Sequence, residues 1–128
     1  MPYVYPEARL LEGKEKVGDH ECVALIRHYT NAPAAASWRE GEKVLGNKSL
    51  PPGTAIATFV KGRWPGLPKG NHSAFYLGQV SNGIYIIDQW PAASKKFISK
   101  RFIYVKKVHP DGTYEDPSDN AAAFSVIK

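Results

Sequence analysis

The clearest helical repeat in this chain lies near its start, where Cys22, Leu25, Ile26 and Tyr29 fall at i, i+3, i+4 and i+7 and give residues 18–29 one apolar face. Beyond residue 33 the chain reads mainly as short apolar runs punctuated by glycine, proline and asparagine. An amphipathic helix ahead of a series of strands buries its apolar face by lying on their sheet, which is the α+β arrangement. With 128 residues, the chain has the length of one domain built on one core, expected to span residues 1–128.

Taken in order, residues 1–17 read as an irregular arm or short helix packed on that domain. Asp19 is the expected N-cap of the helix, with Cys22 about one turn in, and Pro33 ends the helical segment. Residues 37–44 suggest a short second helix capped at Ser37. The turn 50–53 leads into a strand at 54–60, and a Gly/Pro-rich loop at 61–70 carries Trp64. Strands are expected at 71–78, with His72 at its start, at 84–90, which Pro91 closes, and at 101–105. A turn at 81–83 joins the first two as a hairpin, and 123–127 reads as a last edge strand.

Cys22 is the only cysteine, so no internal disulfide can form. A thiol near a helix N-terminus meets unpaired N–H groups and a favourable dipole, conditions that promote the reactive thiolate. The alternative is that Cys22 is a small buried hydrophobe. Thiol catalysis also needs an imidazole to take and return a proton, and a polar group to orient that ring. His72 can supply the first. A tight hairpin returns the end of its second strand beside the start of its first, which brings Asp88 or Gln89 to His72. Side-chain alternation selects between them: an even-numbered loop favours Gln89 and an odd one Asp88. Trp38, Trp64, Gln89 and Trp90 are candidate substrate-binding residues, with Trp38 more readily read as a core plug because large aromatics usually bury.

Composition excludes several classes. A hydrophobic content of 43% with 12% aromatic residues fits a globular protein, and no apolar run approaches the ~18 residues of a membrane helix. The first residues show no basic and apolar Sec-type signal, so export would need a machine that ignores such signals. Metal-ligand spacings, a P-loop and a G-x-S-x-G elbow are missing, and no metal or cofactor is expected. A net charge of +5 and a pI of about 9.3 favour an anionic partner. Lys95, Lys96, Lys100, Arg101, Lys106 and Lys107 form the densest basic stretch, read as a solvated strand edge kept soluble by lysine. No RRM or helix-turn-helix pattern accompanies them, so specific nucleic-acid binding is not expected.

Residues 18–23 (GDHECV) resemble the nucleophile helix of the CHAP and NlpC-type cell-wall peptidases. Residues 50–59 (LPPGTAIATF) resemble their following turn and strand, and 70–78 (GNHSAFYLG) their histidine strand. Asn71 stands where a glycine often precedes that histidine, and Asp88 falls at their third, histidine-orienting position. The order, cysteine before histidine, is that of papain-like enzymes. Within this group the chain looks most like the type VI secretion amidase effectors, especially their second family. The resemblance implies a helix packed on a five- to six-stranded antiparallel sheet, with Cys22, His72 and Asp88 as the catalytic set. It also implies a toxin acting in the periplasm of rival bacteria, delivered by type VI secretion machinery and held in check by a cognate immunity protein. The substrate would be a peptidoglycan stem peptide, cut at the D-alanine to diaminopimelate cross-link or the D-glutamate to diaminopimelate bond. The reading from another class is a non-catalytic wall-binding or SH3-like interaction module.

Overall fold

The computed structural model describes residues 2–128. Its one α-helix, α1 (Cys22–Tyr29), begins later than the capping pattern suggests. Asp19 does not cap it: its Oδ1 accepts the Glu21 N–H at 3.0 Å and closes a local turn. His20 takes a left-handed φ of +71° inside that turn. Glu21 is therefore the N-cap and Cys22 the first helical residue. At the other end the Thr30 N–H and Oγ1 both donate to the Ile26 carbonyl, at 3.0 and 2.8 Å, before Pro33 can interfere.

Six strands form one antiparallel sheet in the order β1-β6-β2-β3-β4-β5. They are β1 (Glu40–Lys43), β2 (Ala55–Thr58), β3 (Ser73–Val80), β4 (Gly83–Asp88), β5 (Ser99–Tyr104) and β6 (Phe124–Ile127). Two expectations change here. Residues 37–44 are not a helix: a single 3₁₀ turn at Ala35–Ser37 gives way to β1, whose Glu40, Glu42 and Lys43 suit an outer strand. The last strand is not an edge either. β6 lies between β1 and β2, and all four of its residues are buried, with the one polar side chain, Ser125, donating to Glu40 of β1 at 2.6 Å.

Two apolar layers hold the sheet. On one face Leu25 and Ile26 of α1 pack with Ala55, Ala57, Phe75 and Ile87. The alanines of β2 leave room for the helix to lie close, and fully burying each of those helix side chains contributes ~1.5–3 kcal/mol. On the other face Ile56, Ala74, Tyr76, Ile84, Ile86, Ile103 and Phe124 form a second cluster. The N-terminal arm crosses the start of β2, where the Tyr5 N–H donates to Gly53 at 2.9 Å. Gly53 has a φ of +95°, and a Cβ there would lie 2.1 Å from the Tyr5 carbonyl oxygen, so only glycine fits.

One irregularity decides which residue meets His72. The β3–β4 loop holds two residues, Ser81 and Asn82, between the pair Val80↔Gly83, and an unbroken ladder from there would put Gln89 on the His72 face. The ladder is broken. Gly78 pairs with Tyr85 but Tyr76 pairs with Ile86, so Leu77 is an extra residue, a β-bulge. That bulge exchanges the faces for everything beyond it. Asp88 then shares the face of Ile84 and Ile86 with His72, and Gln89 turns to the α1 side with Ile87.

Candidate active site

Cys22, His72 and Asp88 come together where the N-terminus of α1 meets the end of the sheet. The His72 ring nitrogen Nε2 lies 2.7 Å from Asp88 Oδ2 in a buried hydrogen bond. Its other ring nitrogen remains for Cys22, which lines the same groove and interacts with the imidazole closely enough for each to shift the other's proton affinity. Cys22 is half-buried, His72 only 6% exposed and Asp88 fully buried, so Cys22 is the most exposed residue of the set. Gly18 seats the preceding loop: its φ is +59°, and a Cβ there would approach Ala24 Cβ to 2.9 Å.

The charges support a thiolate–imidazolium pair. Burial pushes the Cys22 thiol up, but the hydrogen bond and charge of His72, with donors on Ser73, outweigh it and hold the thiol below its ordinary 9.0. Burial likewise opposes a charged His72, yet its bonds to Asp88 and Cys22 raise it from 6.5 to about 9. Asp88 would be raised by burial alone. His72, Arg101 and Lys95 instead bring it to about 2. Asp88 is thus a fixed anion beneath the pair.

Its partners include two residues of the stretch expected to be solvated. Lys95 Nζ lies 2.9 Å from Asp88 Oδ1 and also bonds Ser99 Oγ, while Arg101 Nε lies 2.9 Å from Asp88 Oδ2. Both cations also cover the Trp90 ring, at 4.4 and 4.9 Å from its centroid, and His72 meets that ring edge-on at 6.1 Å. Lys106 pairs with Asp116 and Asp119, so much of the basic stretch is neutralised locally.

Two grooves of about 500 Å³ meet at His72 and Trp90. One contains Cys22, Trp64, Asp19 and Glu21; the other contains Lys69, Arg101 and Asp119. Among the described residues no group of His, Cys, Asp and Glu is placed to hold a metal ion, and no helix is long and apolar enough to cross a membrane.

A sequence profile of the family described as "Domesticated amidase effector 2" matches residues 6–127. The "Type VI secretion amidase effector 2 protein" of Salmonella typhi is 46% identical over 135 residues, covering 100% of both chains. The chain belongs to the amidase effector 2 family. A relative from Ixodes scapularis, "Domesticated amidase effector 2", is 39% identical over 84 residues, spanning 59% of this chain and 54% of that one. A solved structure of "Type 6 secretion amidase effector 2" matches with a TM-score of 0.94 at 46% identity, covering 100% of this chain and 95% of that one. The fold is α+β and papain-like, and membership makes the chain an amidase effector, hence a hydrolase.

Within this amidase effector the candidate groove residues divide. Trp64 and Trp90 are half-buried and line the groove beside Cys22. Trp38 does not: it is fully buried, donates Nε1–H to the Pro33 carbonyl at 2.9 Å, and supports Trp64 from behind with ring centroids 5.4 Å apart. Gln89 is also fully buried and has no free amide for substrate. Its Oε1 accepts the Val17 N–H at 2.9 Å, and its Nε2 donates to the Val17 and Glu21 carbonyls at 3.0 and 2.9 Å. It ties the loop before Cys22 to the end of β4.

Gln89→Ala removes three part-buried hydrogen bonds and leaves the Val17 N–H without a partner, while the Val17 and Glu21 carbonyls keep the N–H groups of His20 and Ala24. A loss of about 1–3 kcal/mol is expected in denaturant unfolding, with turnover reduced because the loop before Cys22 is no longer tied to the end of β4. Equal stability and rate in the variant would remove Gln89 from this role.

Of the residues not anticipated, Arg101 was readable. It pairs with Ile86, two positions from Asp88, so strand alternation alone puts it on the Asp88 face. Lys95 lies in the irregular segment before β5 and carries no comparable signal.

Proposed function

We propose that the chain is a cysteine amidase of peptidoglycan stem peptides, carried by type VI secretion and active in the periplasm of a competing bacterium. The observation that carries this reading is the clustering of Cys22 and the hydrogen-bonded pair His72 and Asp88 at a groove, in a member of the amidase effector 2 family. The names of the relatives support delivery by type VI secretion. A cognate immunity protein that occludes the groove in the producing cell belongs to the same reading.

The thiolate of Cys22 adds to the peptide carbonyl carbon, and the carbonyl electron pair moves onto oxygen. The Cys22 N–H, first in α1, faces no intrahelical acceptor and is one donor to that oxyanion. The oxyanion collapses, the C–N bond breaks, and the His72 proton passes to the departing amine. Water then gives a proton to His72 and adds to the thioester; the C–S bond breaks and the thiolate returns. Asp88 keeps the imidazole oriented and stabilises its charged form, while Lys95 and Arg101 keep Asp88 ionised. Trp64 and Trp90 wall the groove, and Lys69 is placed to meet a stem-peptide carboxylate.

Because the active form needs a protonated His72, initial rates are expected to persist to about pH 9 and fall above it. A rate that halves near 6.5 would contradict the buried ion pair. The bond is identified by mass spectrometry of muropeptides after digestion of diaminopimelate-containing peptidoglycan. Cutting at D-alanine to diaminopimelate converts cross-linked dimers into monomers; cutting at D-glutamate to diaminopimelate leaves shortened stems. Unchanged muropeptides would overturn the proposed substrate.

A further inference from the structure

Ser73 follows His72 and begins β3, and the acyl-transfer steps give it no task. It is fully buried, and among the described residues its Oγ is the one buried side-chain nitrogen or oxygen without a conventional hydrogen-bond partner. Such an orphan costs about 1–3 kcal/mol and calls for an explanation. Its position is closely fixed. Ser73 sits opposite Ala57 of β2 and, by alternation, shares the α1 face with Phe75.

Its backbone N–H is also outside the sheet ladder. The β3–β4 pairing starts at Phe75↔Ile87, and on the β2 side the carbonyl of His72 and the N–H of Tyr76 serve the bonds. The helix that begins at Cys22 packs on β3, and the Ser73 hydroxyl and backbone N–H both act to lower the Cys22 thiol.

We infer that Ser73 is a further catalytic residue, a two-donor seat whose hydroxyl and backbone N–H hold the Cys22 sulfur as an anion. This rests on the reading of Cys22 as the nucleophile. A neutral thiol is a poor acceptor, so the hydroxyl has a strong partner only when the sulfur is charged. The seat therefore favours the thiolate at rest and again when sulfur leaves the thioester, and the buried hydroxyl is retained for that state.

The test is Ser73→Ala, read by the pH dependence of iodoacetamide alkylation and by turnover on peptidoglycan. Cys22 is the only cysteine, so the label reports one site. The alkylation midpoint is expected to rise by about one pH unit and turnover at pH 7 to fall about tenfold. The thermal midpoint should fall only slightly, by no more than the thiolate stabilisation that is lost; a purely structural serine would lower stability without moving the alkylation midpoint. Ser73→Thr keeps the hydroxyl beside the small Ala57 and should return the midpoint toward the parent value. Should Ser73→Ala not fold, Ser73→Gly makes the same comparison. A parental midpoint and rate in Ser73→Ala, with Cys22→Ala inactive, would sink the seat and leave the amidase reading standing. Turnover surviving in Cys22→Ala would sink both.

Discussion

Cys22→Ala and His72→Ala are each expected to lower release of peptide amines from purified peptidoglycan by roughly 10⁴-fold or more, and the double variant should be no slower than either single one. The reason is that neither group acts alone. The thiol is held below its ordinary range mainly by His72, and His72 is charged partly through Cys22, so removing one partner removes the reactive form of the other. Circular dichroism should show both variants folded, because Cys22 is half-buried and His72 sits at the end of the sheet rather than within an apolar cluster. Independent, multiplying losses would mean that the two residues contribute separately.

The second large effect belongs to Asp88, where stability and chemistry change together. Its carboxylate is fully buried and is the common partner of His72, Lys95 and Arg101. Asp88→Asn keeps the shape but leaves Lys95, itself 6% exposed, without its counter-charge. Breaking a buried pair in this way costs about 3–5 kcal/mol, measured as a shift in the denaturant midpoint. The pH dependence has a defined sign. Asp88 has its carboxyl lowered from 3.8 to about 2 by the fold, so its contribution is complete above 3.8 and is lost as the pH falls through about 2. The stability gap between parent and variant should be level between the two titrations, close as the pH falls through about 2, and narrow as it rises from 6.5 to about 9, where the parent's His72 loses its proton. Turnover should fall about a hundredfold or more, with the alkaline limit moving from about 9 toward 6.5 as His72 loses its anion. A variant as stable as its parent, with an unmoved alkaline limit, would show that Asp88 does not govern the ring.

How much of this the sequence carries depends on the range of each signal. The Cys22 helix and the His72 hairpin rest on local periodicity, and both stand where the pattern puts them within a residue or two. The capping residue is displaced because Asp19 makes a local turn with Glu21, which competes with a helical start. The choice between Asp88 and Gln89 lay beyond loop counting. The loop is even-numbered, yet the bulge at Leu77 reverses alternation, and only Gly78 hints at it in the sequence. The place of β6 was hidden for a different reason. Strand order is a long-range property, and the run from Phe124 to Ile127 reads the same at an edge as in the middle. Lys95 shows the limit from the side of charge: in a lysine-rich stretch nothing marks the one whose ammonium turns inward to Asp88.

The most direct measurement is acid quenching during turnover on cross-linked muropeptides, followed by peptide mapping of the protein by mass spectrometry. The predicted result is a thioester between Cys22 and the acyl part of the cleaved peptide, present in the parent and missing from His72→Ala. Continued hydrolysis with the acyl group on any other residue, or with the sulfur chemically blocked, would contradict it.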